Sequence, residues 1–371
     1  MIREISSSPL NLLLALAPLS WYLAATAPDS PWVFVTAALS LVALAGLIGL
    51  ATEQLSQRAG PAWGGFLNAT FGNAAELIIA VVALRGGHVA LVKASITGSI
   101  IGNLLLVLGL SFFVGGIDRR SQTFHRLSAS NTSAMLFLGV VALVMPAVFD
   151  LSLYGSLVPQ PPAINRLSFW SAIVLIAAYA GSLVYAFTCQ RDLLRPSRDG
   201  LAKAKAGAAS TDHLAFSPWP SIVLLGIATA LTTTQAELLV RGLGTALVQF
   251  GFTELFVGVI VVALIGNAAE HYSAIAAARR DEMTLAVEIA IGSSAQIALF
   301  VAPALVLYSF AIGRPMSLLF DAFEITAIAL SVLATSTVVA DGQSNWVEGL
   351  LLLSIYLILA LAFYFVPASL G

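Results

Sequence analysis

The sequence predicts an all-α integral membrane protein. Of its 371 residues, 59% are apolar and only 10% are charged, and the mean hydropathy is +0.94. A soluble domain is typically about one-quarter charged. The five-residue motif Gly-Asn-Ala-Ala-Glu occurs twice, each time inside a long apolar stretch. A carboxylate at such a depth is costly in a membrane, so its recurrence indicates a functional site.

Apolar stretches long enough to cross a bilayer define the predicted helices. A spanning helix needs about 20 mostly apolar residues, and on that rule the chain contains eleven transmembrane helices. They are predicted at about 10–27, 32–55, 63–84, 90–114, 128–149, 167–188, 218–240, 252–277, 282–310, 316–339 and 346–366.

The two motif copies suggest a duplicated unit. The first motif, residues 72–76, returns 194 residues later as the second motif, residues 266–270, and Gly98 with Ser99 returns as Gly292 with Ser293 at the same distance. The motifs lie on predicted helices three and eight, an odd number of spans apart, so the copies cross the membrane in opposite directions. Inverted-topology repeats of this kind build secondary transporters, with the substrate site at mid-membrane.

This reasoning divides the chain into four parts. Residues 1–30 form helix 1, residues 31–188 the first five-helix repeat, residues 189–217 a basic loop, and residues 218–371 the second inverted-topology five-helix repeat. Gly98 and Gly102 are spaced as a small-xxx-small pair, which predicts a close approach of the fourth helix to a neighbour.

Each motif places a carboxylate and an amide on one helix face, because the glutamate follows the asparagine by three residues. Helices four and nine add hydroxyl and amide groups at helical spacing. Ligands made only of oxygen suit hard cations such as calcium, which takes about 6–8 of them. Ser99 and Asn103 are equally consistent with hydrogen bonding between helices. The predicted metal-binding residues are Glu76, Glu270, Asn73, Asn267, Gln296 and Asn103, with Ser99 and Ser293 in support.

The two glutamates also offer a means of coupling. A divalent cation or two protons would neutralise Glu76 and Glu270, whereas the empty ionised pair would resist crossing a low-dielectric membrane. The pair is therefore predicted to bind the cation and to carry the protons.

Four further residues have weaker claims. Glu53 and Glu237 lie toward helix ends, where a gating role and simple solvation are both plausible. His271 adjoins Glu270 and serves either packing or binding. Glu288 lies one turn before Gly292 and is expected to face a cytoplasmic entry path, or else the headgroups.

Loop charges predict the orientation. The side that holds the N-terminus collects twelve Lys and Arg residues and the other side five. By the positive-inside rule the N-terminus of this multi-pass protein is cytoplasmic and the C-terminus outside. The sequence does not fix the oligomeric state, and a homo-oligomer is compatible with it.

Several function classes are excluded or disfavoured. A net charge of −2 does not suggest a nucleic-acid partner, and the single cysteine cannot form an internal disulfide. The sequence has neither an HExxH zinc motif nor a GxxxxGK[ST] nucleotide motif. We therefore expect no enzymatic activity and no cofactor, only transported calcium ions and protons in a lipid bilayer.

Six segments, at residues 51–53, 72–76, 93–105, 266–271, 292–299 and 341–346, resemble the calcium/cation–proton exchangers of the cation/calcium exchanger superfamily. The resemblance covers nearly the whole chain. It implies eleven helices, inverted repeats and antiport of a cation for protons by alternating access. It also implies calcium binding by Glu76 and Glu270. Supporting roles are implied for Asn73, Asn267, Asn103, Gln296, Glu53 and Glu237.

Two details refine the resemblance. The Gly-Thr-Ser-x-Pro-Glu type of motif, typical of the sodium/calcium branch, is absent, which favours protons as the counter-ion. The missing N-terminal tail and the basic loop suggest a compact prokaryotic member, which implies the cytoplasmic (inner) membrane as its location. A sodium or potassium/proton antiporter of the same fold, and a cation channel, remain the alternative hypotheses.

Overall fold

The computed structural model describes residues 9–154, 162–189 and 218–367. Residues 1–8, 155–161 and 368–371, and residues 190–217 of the predicted basic loop, lie outside the described residues. Within those ranges the protein is almost entirely helical.

The described residues form twelve helices and one short antiparallel strand pair. The pair joins β1 (Gln122–Thr123) to β2 (Gln343–Ser344), with Gln122 opposite Ser344. The helices are α1 (Leu10–Thr26), α2 (Pro31–Phe71), α3 (Ala74–Gly86), α4 (Val89–Gly116), α5 (Arg126–Tyr154), α6 (Pro162–Cys189), α7 (Trp219–Phe250), α8 (Glu254–Gly266), α9 (Ala268–Arg279), α10 (Met283–Ala311), α11 (Ala322–Val338) and α12 (Trp346–Phe365).

The apolar helices of the described ranges make this a multi-pass membrane protein. Seven of them are long and apolar enough to cross a bilayer, and α8 with α9, bent by 60°, supplies an eighth span. Helices α1 and α11 are shorter apolar helices. The eleven predicted spans are therefore not all visible as separate long helices.

The predicted boundary between the second and third helices is wrong. Helix α2 runs without interruption from Pro31 to Phe71, although a break was expected between residues 55 and 63. At 1.5 Å per residue it is about 60 Å long, twice the thickness of the hydrocarbon core. The polar residues Gln57 and Arg58 are good helix formers, so polarity alone did not end the helix.

Both predicted motif helices, 63–84 and 252–277, are broken at the motif. Asn73 separates α2 from α3, and Asn267 separates α8 from α9. The backbone angles of the two asparagines nearly coincide, with φ −93° and ψ 18° at Asn73 and φ −93° and ψ 14° at Asn267. Each break starts a new helix whose positive N-terminal end points back toward the motif, where it favours negative charge.

Helix α4 packs closely on α8 through glycine. A Cβ at Gly98 would lie 2.0 Å from the carbonyl oxygen of Val259, and one at Gly258 would lie 2.4 Å from the Ala94 Cβ. The predicted close approach is therefore correct at Gly98. It is wrong at Gly102, where no described atom lies within 4 Å of a Cβ position. In the second half a Cβ at Gly292 would make one ordinary van der Waals contact, with Thr132 Cγ2 at 3.9 Å.

Helix α11 begins later than the predicted residue 316. Asp321 and Glu324 form a capping box that fixes its start at Ala322. The preceding segment, residues 314–321, is irregular yet largely buried, with Met316 and Leu318 both fully buried. Irregular backbone is tolerated at membrane depth where protein surrounds it.

Candidate cation-binding site

The helix breaks put both motif glutamates at helix starts. Glu76 lies in the first turn of α3 and Glu270 in the first turn of α9. Each follows its asparagine by three residues, and each sits where the helix dipole favours a negative charge. The local structure is the same in both motifs, as the sequence repeat predicts.

Each motif asparagine is hydrogen-bonded to an amide in the opposite half of the chain. Asn73 Nδ2 donates to Gln296 Oε1 of α10 at 2.7 Å. Asn103 Nδ2 of α4 donates to Asn267 Oδ1 at 2.9 Å. Asn73, Asn103 and Asn267 are all buried. These two bonds link four of the predicted polar residues across the two halves of the chain.

The two asparagines nevertheless differ in what they leave free. Asn267 Nδ2 donates both to Ser99 Oγ at 2.8 Å and to the Ala263 carbonyl at 2.9 Å, and its own oxygen accepts from Asn103. Asn267 therefore holds its neighbours in place. Asn73 Oδ1, in contrast, is buried without a hydrogen-bond partner among the described residues.

Glu76 is the centre of this arrangement. Its Cγ lies against Gly266 of the second motif. The carboxylate faces Ser99 and Asn267 and lies within electrostatic reach of Glu270. Both of its oxygens are buried, and neither meets hydrogen-bond geometry with another described group.

Six buried oxygens of the predicted site residues have no hydrogen-bond partner in the described part of the chain. An unsatisfied buried polar group costs about 1–3 kcal/mol, so this many in one group of residues calls for a ligand. Hard cations take such oxygens as ligands, and calcium takes about 6–8 of them. The six are Glu76 Oε1 and Oε2, Glu270 Oε2, Asn73 Oδ1, Asn103 Oδ1 and Ser293 Oγ.

The donor set is distinctive in its chemistry. No group of three His, Cys, Asp or Glu side chains is close enough to hold a metal ion in the described ranges. A bound cation would depend on two carboxylates together with amide and hydroxyl oxygens. Such a set is typical of a hard cation and unlike a zinc centre.

A cavity adjoins Glu76. Its polar lining comes from Glu76, Ser95 and Ser99, and its apolar lining includes Val262 of α8 and Ile297 of α10. The cavity thus places the carboxylate between elements of both halves of the chain, with apolar walls that limit competing hydration.

The remaining predicted residues lie differently. His271 Nε2 is buried without a partner among the described residues. Glu53 and Glu237 have exposed side chains, unlike the buried oxygens of the cluster. Glu288 is exposed on α10 and accepts a short hydrogen bond from Ser128 Oγ.

The sequence reasoning found no partner for Glu324. In the structure Glu324 is buried, accepts a hydrogen bond from Thr97 and lies within electrostatic reach of Lys93, and both of these residues are on α4. The available signal was in the apolar stretch that forms α4, where the polar residues Lys93 and Thr97 are one helical turn apart.

Comparison with known proteins gives the family. The model for "Sodium/calcium exchanger protein" matches residues 29–188 and 220–365. The chain belongs to this family. The resemblance drawn from the motifs is therefore confirmed, and the protein is a membrane transporter of this family and not an enzyme.

Curated relatives and solved structures agree with this assignment. A Ca²⁺/H⁺ antiporter of Synechocystis sp. is 41% identical over 96% of this chain and 97% of its own length. The Ca²⁺/H⁺ antiporter ChaA of Bacillus subtilis is 42% identical, with coverage of 89% and 91%. The structure of native YfkE matches with a TM-score of 0.81 at 38% identity, covering 96% of this chain and 100% of that one. The H⁺/Ca²⁺ exchanger CAX, at 17% identity and a TM-score of 0.67, shares the fold.

Proposed function

We propose that this protein exchanges calcium for protons across a membrane as a secondary antiporter. The observation that carries the proposal is the set of six buried, unpartnered oxygens contributed by both motifs and their neighbouring helices. Relatives that are 41% and 42% identical over most of their length are named Ca²⁺/H⁺ antiporters, which supports the same substrates here.

The coupling follows from charge balance at Glu76 and Glu270. One calcium ion neutralises the two carboxylates, and so do two protons. The empty ionised pair has two uncompensated charges, which makes reorientation of the empty site costly in a low-dielectric interior. The binding site would therefore reorient from one side of the membrane to the other only with calcium or protons bound. Transport of one ion is then coupled to transport of the other.

The packing of the two halves supports alternating access. Gly98 on α4 packs tightly against Val259 of α8, whereas a Cβ at Gly292, the corresponding position of α10, would make only an ordinary contact with Thr132 at 3.9 Å. The corresponding positions of the two halves are thus packed unequally, as expected for a transporter of two inverted repeats that faces one side of the membrane.

We further propose the eleven-helix inverted-repeat architecture, with residues 31–188 and 218–371 as the two repeats. Helix α2 would supply the second span, its C-terminal part with α3 the third, and α8 with α9 the eighth. The matching backbone breaks at Asn73 and Asn267 support this assignment. The loop charges support a cytoplasmic N-terminus in the inner membrane.

The test is transport by purified protein in proteoliposomes. Calcium uptake and proton movement are recorded together under an imposed pH gradient, with sodium, potassium or manganese replacing calcium in parallel. We expect calcium uptake that stops when the pH gradient is collapsed and is absent in Glu76→Gln. Proton exchange with sodium or potassium but not calcium would favour the alternative antiporter. Calcium flux that needs no counter-moving proton would indicate a channel.

A further inference from the structure

Two charged side chains lie inside the protein without any part in the cation cluster. Lys93 is on α4 and Glu324 is in the first turn of α11. The Glu324 residue is only 2% exposed. Buried charges are retained only when they are paired or hydrogen-bonded, so their contacts indicate what they hold.

Both oxygens of Glu324 have partners. Thr97 Oγ1 donates to Glu324 Oε1 at 2.9 Å, and the Asp321 backbone N–H donates to Glu324 Oε2 at 3.1 Å. Glu76 is the opposite case, since neither of its oxygens meets hydrogen-bond geometry with another group in the described part of the chain. Glu324 is therefore a fixed acceptor for α4 and not a vacant ligand.

Lys93 makes the second attachment of α4. Its Nζ donates to the Leu319 carbonyl at 2.6 Å and to Ser317 Oγ at 3.3 Å. Its charge lies within electrostatic reach of Glu324 and Asp321, without a direct ion pair. Lys93 and Thr97 are one helical turn apart, so both attachments lie on one face of α4.

The segment that receives Lys93 is itself fixed. The Leu318 N–H donates to Ser168 Oγ at 2.9 Å, and the Met316 N–H donates to Ser309 Oγ at 2.8 Å. These bonds tie residues 314–321 to α6 and α10. Helix α4 is thus attached to a buried support and not to a free loop.

The next two residues of α4 lead directly to the cation cluster. Gly98 rests on Val259 of α8, and Ser99 Oγ accepts from Asn267 Nδ2 at 2.8 Å. Three consecutive residues, from Thr97 to Ser99, therefore contact α11, α8 and the second motif. Because only Gly98 separates Thr97 from Ser99, a displacement of the helix at Thr97 would also displace Ser99.

The attachment belongs to one half of the chain only. The positions 194 residues after Lys93 and Thr97 are Val287 and Ile291, which cannot make these bonds. A device required by the duplicated fold alone would be expected in both halves.

We propose that Lys93 and Glu324 are positioning residues for cation binding. They hold α4 so that Ser99 keeps Asn267, and the adjacent Glu76 carboxylate, in binding geometry. The inference rests on the proposed calcium/proton exchange and adds residues outside the cation cluster to it.

The sharpest test removes only the Thr97 hydroxyl. Thr97→Val has nearly the same shape and should raise the half-saturating calcium concentration about tenfold, because a hydrogen bond to a charged group is lost. Thr97→Ser keeps the hydroxyl and should retain wild-type affinity. The maximal rate per folded protein should change far less than the affinity in both variants. A lowered melting temperature with unchanged calcium affinity would overturn the proposal in favour of a purely structural role.

A second test uses the charges. Lys93→Met and Glu324→Gln should each weaken calcium affinity, because each removes or weakens one hydrogen-bonded attachment of α4. The double variant should lose less affinity than the two single losses add up to, because both attachments hold the same face of α4. Ser331→Ala is the matched control, because Ser331 is buried on the same helix but bonds only to Ala327 of that helix. Wild-type affinity in both single variants, or additive losses in the double variant, would contradict the proposed pair.

The two levels of failure are separable. A wild-type protein that moves no calcium against protons overturns the proposed function and this inference with it. A wild-type protein that exchanges normally, with Thr97→Val and Glu324→Gln indistinguishable from it in calcium affinity, overturns the positioning role alone.

Discussion

Glu76 of the first motif lies directly on Gly266 of the second. A Cβ at residue 266 would lie only 2.6 Å from Glu76 Cγ, so no residue but glycine fits without displacing the carboxylate. The two motifs are thus in physical contact through the residues that define them. The glycine of one copy makes room for the acid of the other.

The first prediction concerns this contact. Gly266→Ala should move Glu76 and raise the half-saturating calcium concentration by at least about tenfold, since a Cβ at this distance forces the carboxylate to shift. Calcium-dependent exchange in proteoliposomes measures it. Gly102→Ala is the control, because no described atom lies within 4 Å of a Cβ there. Equal affinities in the two variants would show that the contact does not shape the site.

The features of the fold that depend on the hydrophobicity pattern could be predicted from the sequence. Composition identified a multi-pass helical membrane protein, and the offset of 194 residues predicted two related units. The helix breaks at Asn73 and Asn267 were missed, because an apolar stretch has no signal that separates one continuous helix from two shorter ones. The uninterrupted run of α2 through Arg58 was missed for the converse reason, since polar helix formers do not stop a helix.

The second prediction concerns the two acids. Glu76→Gln and Glu270→Gln should each reduce calcium/proton exchange by at least about 100-fold. Each leaves a divalent ion with one uncompensated charge at mid-membrane, which costs about 2.5–3.5 kcal/mol or more. Exchange per inserted protein is the measurement, and the two variants should be equally impaired.

A variant that neutralises an exposed carboxylate is the control for the two motif variants. Glu282→Gln removes an exposed carboxylate that pairs with Arg280 and should exchange normally. Near-normal exchange by either motif variant would show that the two motifs are not the cation site.

The third prediction separates the two asparagines. Asn267 is hydrogen-bonded to Ser99, Ala263 and Asn103, whereas the Asn73 side chain makes a single hydrogen bond within the described residues, to Gln296. Asn267→Ala should therefore lower both the melting temperature and the calcium affinity. Asn73→Ala should mainly lower the affinity, because it removes the unpartnered Oδ1. Equal losses of melting temperature would contradict this division of roles.

The candidate site illustrates where sequence reasoning stops. The identity of its oxygens followed from spacing, because residues three apart share a helix face. Which oxygens stay free did not follow, because the bonds of Asn267 and of Asn73 depend on side chains more than 160 residues away. The attachment of Glu324 to Thr97 was equally hidden, since it joins residues 227 positions apart.

The fourth prediction concerns the approach to the site. Glu288 is exposed on α10 and is hydrogen-bonded to Ser128, so it is not among the buried oxygens. Glu288→Ala should change the apparent calcium affinity a few-fold through the lost surface charge while exchange continues. Raising the ionic strength should reduce the difference from wild type, because salt screens an exposed charge. Complete loss of exchange in this variant would place Glu288 in the site itself.

The last prediction concerns pH on the calcium-loading side. Protons and calcium compete for the same oxygens of Glu76 and Glu270. Lowering the pH protonates these carboxylates and removes the charge that attracts the cation, so the half-saturating calcium concentration should rise as the pH falls. Saturating calcium should restore most of the rate, because competition is overcome by concentration. Initial rates over a calcium series at several external pH values measure this. An affinity that is independent of pH, or that improves as the pH falls, would show that the two ions do not share these carboxylates.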